Sequence, residues 1–215
     1  MVGIGRYEPI LIRKLMQELK SSSFSDNLTE MNYYVFQVLT GKEKKYIDLA
    51  AYNFRAEKIP PERAGKILWP QRKLTLKKRG IVKETTAPIF PGYLFFEEEK
   101  LEPDIYWILK RTGGFIRFLK SNQNIQPIFG EDKQLLLHFL SYGEIVEKST
   151  VWFDRDNRIR VVSGPMKGLE GKIIKVDRRK KRAKIALSLY EESFKVDFGF
   201  EILEKVEDHG KNTER

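Results

Sequence analysis

The chain reads as an α+β protein in two parts, a mostly antiparallel sheet flanked by helices over residues 31–142 and a small β-barrel over residues 158–206. Three observations predict it. Runs such as Tyr33 to Leu39 and Tyr93 to Phe96 consist of aromatic and β-branched residues, the composition of strands that bury a face. Between and after these runs, apolar residues recur at helical spacing, so each helix has one face that a sheet can cover. From Arg158 onward the pattern changes to Ile- and Val-rich runs separated by short turns, the mark of a small barrel.

Residues 1–30 stand apart. Ile10, Leu11, Lys14, Leu15, Glu18 and Leu19 have the spacing of a short amphipathic helix, and Ser21 to Asn27 reads as a linker. Met31 directly precedes the first convincing strand, so this extension is read as dispensable, with a docking helix as the alternative. Tyr33 to Leu39 is a strand, and Thr40-Gly41-Lys42-Glu43 breaks it. Thr40 is placed to cap the next helix, with Glu43 at capping-box spacing. Tyr46, Leu49, Ala50 and Phe54 form that helix's buried face, and Pro60-Pro61 closes the unit.

Ile67 to Trp69 and Arg72 to Lys78 are strand segments around Pro70. Arg79-Gly80 turns the chain and Ile81 to Thr85 returns, giving a basic hairpin. Pro91-Gly92 bends the backbone before Tyr93 to Phe96, a strand buried on both faces. Glu102-Pro103 opens a helix through Arg111, with Ile105, Ile108 and Leu109 inward. Thr112-Gly113-Gly114 ends it, and Phe115 to Leu119 is a strand. A last helix runs from Glu131 to Tyr142, with Leu135, Leu136, Phe139 and Leu140 inward. The order is β-α-β-β-β-α-β-α. Residues 143–157 are read as a connector and 207–215 as a flexible tail.

Composition narrows the chemistry. The chain has 215 residues, 41% hydrophobic and 33% charged, which suits a soluble protein with real cores. No apolar run approaches a membrane span, and the first residues lack a signal-peptide pattern. With no Cys, disulfides, thiolate metal sites and cysteine catalysis are excluded, and a cytoplasmic location is expected. His138 and His209 pair with no Ser or carboxylate pattern and have no metal-ligand spacing. Glu97-Glu98-Glu99 reads as a solvated loop, and no glycine-rich phosphate loop is present. No catalytic residue, metal or cofactor is therefore assigned, and the chain is read as a monomeric binding protein.

Net charge is +10, and its distribution matters more than its size. Lys66 to Lys83 holds seven basic residues and no acid, while Lys167 to Lys184 holds nine basic and two acidic residues. Five consecutive cations, Arg178 to Arg182, repel one another unless something neutralises them, which favours phosphate contact for the second cluster. For the first, phosphate contact and a merely solvated hairpin stay open.

The segment Arg160 to Asp177 (RVVSGPMKGLEGKIIKVD) reads as strand, glycine-pinned turn, strand, followed by the basic tip and a return run from Ala183 to Leu189. Gly164, Gly168 and Gly171 sit where tight or left-handed backbone is needed. This segment resembles the KOW motif, an SH3-like barrel that binds nucleic acid or protein. The N-terminal half decides between KOW families. Tyr33-Tyr34-Val-Phe-Gln-Val-Leu-Thr-Gly-Lys-Glu is similar to the opening strand-turn-helix of the NusG family. Ile89-Phe-Pro-Gly-Tyr-Leu-Phe95 resembles its Phe-Pro-Gly-Tyr strand, and Arg111-Thr-Gly-Gly-Phe-Ile-Arg-Phe-Leu119 its Pro-Gly-Val-x-Gly-Phe segment. Gly113 stands where the family usually has Pro, and the second Gly is missing. Gly164-Pro-Met-Lys-Gly-Leu-Glu-Gly and Asp177-Arg-Arg-Lys-Lys-Arg-Ala look closer to the specialised LoaP-like paralogues than to the housekeeping factor.

The resemblance implies an NGN-like domain that grips the clamp helices of RNA polymerase through an aromatic hollow at Tyr33, Tyr34, Phe90 and Tyr93. On the residues alone, ordinary core packing is the other reading of these rings. It implies a processive antiterminator whose KOW domain uses Lys172, Lys175, Arg178, Arg179, Lys180, Lys181, Arg182 and Lys184 on a nascent RNA hairpin or upstream DNA. Rho or a ribosomal protein are the partners the housekeeping factor's KOW domain would imply. Phe194, Phe198 and Phe200 fit a barrel strand better than a protein-docking surface. Dense Val, Ile and turn glycines from Arg160 to Leu189 favour a barrel over a helical form. The alternative function is a KOW-type RNA-binding or ribosome-associated protein without polymerase contact.

Overall fold

The computed structural model describes residues 31–119, 125–190 and 192–203. The expected helix and linker within residues 1–30, the tail at 207–215 and His209 lie outside these residues. The expected α+β class is what forms. The described residues divide into two compact units, one within residues 31–70 and 90–144, the other within residues 71–89 and 145–203.

The first unit is built on a sheet of β1 (Asn32–Val38), β2 (Lys66–Leu68), β5 (Tyr93–Glu98) and β6 (Phe115–Phe118), in the order β2-β5-β1-β6. Its pairs are antiparallel, with Tyr34 opposite Phe96 and Phe36 opposite both Leu94 and Phe118. Alternation along β1 sends Tyr34, Phe36 and Val38 to one face. There they pack with Tyr46, Ala50 and Phe54 of α1 (Glu43–Ala56) and with Ile105, Ile108 and Leu109 of α2 (Pro103–Arg111). Tyr46 fixes the contact, since its hydroxyl donates to the Leu109 carbonyl oxygen at 2.7 Å. Burial without a compensating charge pushes its phenol pKa well up. Phe95 lies against Phe90, and Phe90 against Phe139 of α3 (Gly130–Leu140). Strand β5 is thus buried on both faces, as its unbroken apolar run predicts.

Pro70 does more than interrupt one strand. β2 ends before it and pairs with β5, whereas β3 (Gln71–Lys78) begins after it in another sheet of order β4-β3-β7, with β4 (Ile81–Pro88) and β7 (Ile145–Val146). Proline has no N–H for the ladder, so the strand cannot pass through it unbroken. The basic hairpin β3–β4 accordingly belongs to the second unit. The rest of that unit is a five-stranded sheet, β10-β11-β12-β8-β9, of β8 (Ser149–Phe153), β9 (Ile159–Ser163), β10 (Ile173–Asp177), β11 (Arg182–Leu189) and β12 (Glu192–Ile202). Ala183, Ile185, Leu187 and Leu189 alternate inward along β11. Phe198 and Phe200 are buried with them, while Phe194 is half-buried. From Ile159 to Ile202 the described backbone is strand and turn, with a single 3-10 turn at Glu170–Lys172 and no α-helix.

Two local readings are corrected. The segment 143–157 is not only a connector, because it carries β7 and β8, and β8 pairs in parallel with β12. Its Thr150-Val-Trp-Phe153 run has strand composition that the surrounding charge obscures. Gly171 occupies no left-handed position, unlike Gly164 and Gly168, and an added Cβ would meet nothing there.

Candidate functional site

The first candidate surface is the aromatic set of the first unit. Its geometry is organised by the turn Phe90-Pro91-Gly92-Tyr93, where the Phe90 carbonyl oxygen accepts from the Tyr93 N–H at 3.1 Å. Gly92 has φ 83°, and a Cβ there would lie 2.6 Å from the Thr40 hydroxyl, so glycine is required for both reasons. Glu43 secures this turn. Its buried carboxylate accepts from the Gly92 N–H at 2.8 Å, and the N-cap of α1 is Lys42 with no side-chain bond. The expected capping box between Thr40 and Glu43 therefore does not form. Glu43 is better satisfied by the turn, which sits 49 residues away and which no local motif reveals.

All four predicted aromatic residues are buried: Tyr33 at 0%, Tyr34 at 6%, Phe90 at 1% and Tyr93 at 3% exposure. The Tyr33 hydroxyl donates to the Glu97 carboxylate at 2.9 Å, and burial together with that charge pushes its phenol pKa well up. The Tyr34 hydroxyl accepts from the Leu101 N–H at 3.3 Å. Alternation along β1 separates the two tyrosines onto opposite faces of the sheet, so the four rings do not make one open patch. Among the described residues the rings that the unit exposes are others: Tyr52, Trp107, Phe129 and Tyr142. Trp107 stands off the Ile105, Ile108 and Leu109 face of α2, and Lys110 Nζ lies 4.8 Å from its ring centroid. Its being out of step with that apolar period was the available signal.

The second candidate surface is the tip between β10 and β11. Asp177 shapes it by accepting from the Lys180 N–H at 2.9 Å, and Lys181 takes a left-handed φ of 51°. The eight predicted cations separate into two kinds. Arg178 lies over Phe153, its guanidinium carbon 3.6 Å from the ring centroid, and donates to the Asn157 carbonyl and side-chain oxygens. Arg182 is half-buried and donates to the Thr75 carbonyl oxygen at 2.9 Å, while Lys184 faces Asp197 at 3.4 Å. These three help hold the fold. Lys172, Lys175, Arg179, Lys180 and Lys181 are exposed, and Lys180 has only a long 3.8 Å approach to Asp177. Among the described residues the other four have no ion-pair or hydrogen-bond partner for their side chains.

No group of three or more His, Cys, Asp or Glu could hold a metal among the described residues, and no described helix is long and apolar enough to cross a membrane. A cluster of exposed Lys and Arg side chains at the tip of a β unit has the electrostatic character of a nucleic-acid-binding surface. The family model for the transcription termination factor nusG matches residues 31–137, and that for the KOW motif matches residues 155–185. The chain belongs to the NusG family, a family of transcription factors. It is 23% identical over 180 residues to the transcription termination/antitermination protein NusG of Bacillus subtilis, covering 82% of this chain and 99% of that protein. The Borreliella burgdorferi protein of the same name is 26% identical over 144 residues, covering 64% of this chain and 78% of its own length. A solved structure of Thermotoga maritima NusG superposes with a TM-score of 0.50 at 17% identity, covering 80% of this chain and 95% of that one, which supports the fold.

Proposed function

We propose that this chain is a NusG-type elongation factor of the specialised, processively antiterminating kind. The first unit, residues 31–70 and 90–142, docks on the clamp helices of RNA polymerase, and residues 158–206 hold a nascent RNA hairpin. The observation that carries the reading is the union of a NusG-matched N-terminal segment with an exposed cationic tip at Lys172, Lys175, Arg179, Lys180 and Lys181. Clamp binding biases the polymerase toward its closed, elongating state only if that state is bound preferentially. The reaction itself remains the polymerase's, and the protein acts in the cytoplasm beside it. Upstream DNA, Rho and a ribosomal protein are the other partners the tip and barrel would suit.

Tyr33, Tyr34, Phe90 and Tyr93 are buried, so in this reading they form the layer beneath the docking face rather than its contact surface. The same burial favours the second reading, a KOW-type RNA-binding or ribosome-associated protein that never touches the polymerase. Transcription in vitro past a terminator, with and without a leader hairpin, tests the first reading. Hairpin-dependent readthrough supports it, and termination unchanged by the protein on every template sinks it. A pull-down of core RNA polymerase separates the two readings. Phe90→Asp is a poor probe of docking, because it would place a charge against Phe95 and Phe139 and report on folding.

A further inference from the structure

The two basic clusters lie about a hundred residues apart in sequence, yet both hairpins belong to the second unit. Their alignment can be followed strand by strand. Arg72 donates to the Asp197 carbonyl oxygen, a Cβ on Gly199 would lie 3.0 Å from the Lys73 carbonyl oxygen, and Arg182 donates to the Thr75 carbonyl oxygen at 2.9 Å. Asp197 and Gly199 follow one another along β12, and Gly199 is the ladder partner of Arg182 at the start of β11. β3 therefore advances beside β12 toward the β10–β11 tip, and its own turn at Arg79-Gly80 comes out at that same end of the unit.

The turn carries Lys77, Arg79 and Lys83, all exposed. Among the described residues none of the three has an ion-pair or hydrogen-bond partner for its side chain. The one acid of the hairpin, Glu84, is joined to Lys148, and Glu147, which follows β7, is joined to Lys73. Nothing on the hairpin neutralises its tip. Two neighbouring prongs result, Lys77, Arg79 and Lys83 on one and Arg179, Lys180 and Lys181 on the other. Among the described residues the exposed apolar side chains of the unit are aliphatic, Leu76, Ile81 and Val82 on the first hairpin and Ile145, Val162, Ile174, Ile202 and Leu203 beyond it, while the rings of Trp152, Phe153, Tyr190 and Phe194 are half-buried. A single strand is normally gripped by stacking its bases on exposed aromatic rings, and among the described residues no ring of this unit is more than half-exposed, with Phe153 covered by Arg178. Cations on two prongs instead suit two phosphate runs, as on either side of a groove.

We propose that the β3–β4 tip is a second phosphate-binding element, and that both prongs together grip the paired backbone of a double-helical nucleic acid. This rests on the nucleic-acid reading of the β10–β11 tip. The test measures binding of the full chain to an RNA stem-loop, to a DNA duplex of matching sequence and to the unpaired RNA strand, each over a range of salt. Lys77→Gln/Lys83→Gln alters the first prong and Arg179→Gln/Lys181→Gln the second, with circular dichroism confirming that each stays folded.

Either duplex should bind more tightly than the single strand, and the RNA and DNA arms show which duplex is preferred. Each double variant should lose on the order of tenfold or more in duplex affinity at physiological salt and flatten the salt slope by about two, about one per lost phosphate contact. If only the second variant weakens binding, the first prong has no such role and the inference fails while the β10–β11 reading stands. A single strand bound as well as the duplexes overturns the two-prong grip. No binding by the unaltered protein removes both readings.

Discussion

Ser149 and Gly164 show how one position without a Cβ holds the second unit together. Gly164 has φ 91°, and an added Cβ would sit 2.7 Å from the Ser149 Cα, which is backbone and cannot swing away. The Ser149 hydroxyl accepts from the Met166 N–H at 3.0 Å, so the approach positions a buried turn as well. Gly164→Ala should destabilise the protein by about 2–3 kcal/mol or more, combining a left-handed alanine with a steric clash. Gly171→Ala, in the same motif but at an open position, should be neutral or stabilise by up to about 1 kcal/mol. Urea unfolding of both variants checks the pair, and equal effects would contradict the geometry. The sequence marks all three motif glycines alike, because what separates Gly164 from Gly171 is the Ser149 backbone rather than anything local. The same limit applied to Glu43, whose real partner is a distant turn.

At the level of elements, Arg72 fastens the β3–β4 hairpin. It is nearly buried and donates to the carbonyl oxygens of Asp197, Ala87 and Pro88, with its guanidinium 5.7 Å from the Phe198 centroid. Burial pushes its pKa down to about 10, against the pull of Asp197, and nearby Arg182 pushes the same way as burial. The charge therefore persists at neutral pH. Arg72→Met removes it while leaving bulk, and strands three acceptors at a cost of about 1–3 kcal/mol each where water cannot reach. Hydrogen exchange should then speed up along β3 and β4 while the amides of β1 and β5 stay protected. Uniform protection would show that the hairpin is held by other contacts.

Asp154 offers a pH-dependent counterpart. The Arg158 N–H lowers its pKa most, with the Arg160 side chain and the Asp156 N–H adding to this, so the folded value lies below the ordinary 3.8. A carboxylate of this kind contributes stability above its unfolded pKa and loses it as pH falls through the folded one. Asp154→Asn should remove that acid-side loss, visible as a flatter urea midpoint against pH in the acid range. Strand and helix periods were legible at this scale because burial imposes them on the chain locally. The membership of the hairpin was not, because the Arg72 to Asp197 bond spans 125 residues.

For the molecule as a whole, the question is whether nucleic-acid affinity follows the net charge of +10 or the placement of a few cations. A diffuse field attracts any polyanion and is screened over about 8–10 Å at ordinary salt, whereas direct contacts release counterions one by one. The tip's charge run was plain in the sequence. What stayed hidden was that Arg178, Arg182 and Lys184 are occupied by Phe153, Thr75 and Asp197, since each partner lies on another strand. Occupied cations already have their partners and give a bound phosphate less. Lys42→Gln/Lys45→Gln, two exposed lysines of the first unit, removes the same formal charge as Arg179→Gln/Lys181→Gln. If placement governs, the lysine pair leaves the slope of log affinity against log salt unchanged, and the tip pair lowers it by about two. Fluorescence anisotropy with a labelled RNA stem across a salt series reads both slopes, and equal losses would mean that net charge alone sets the affinity.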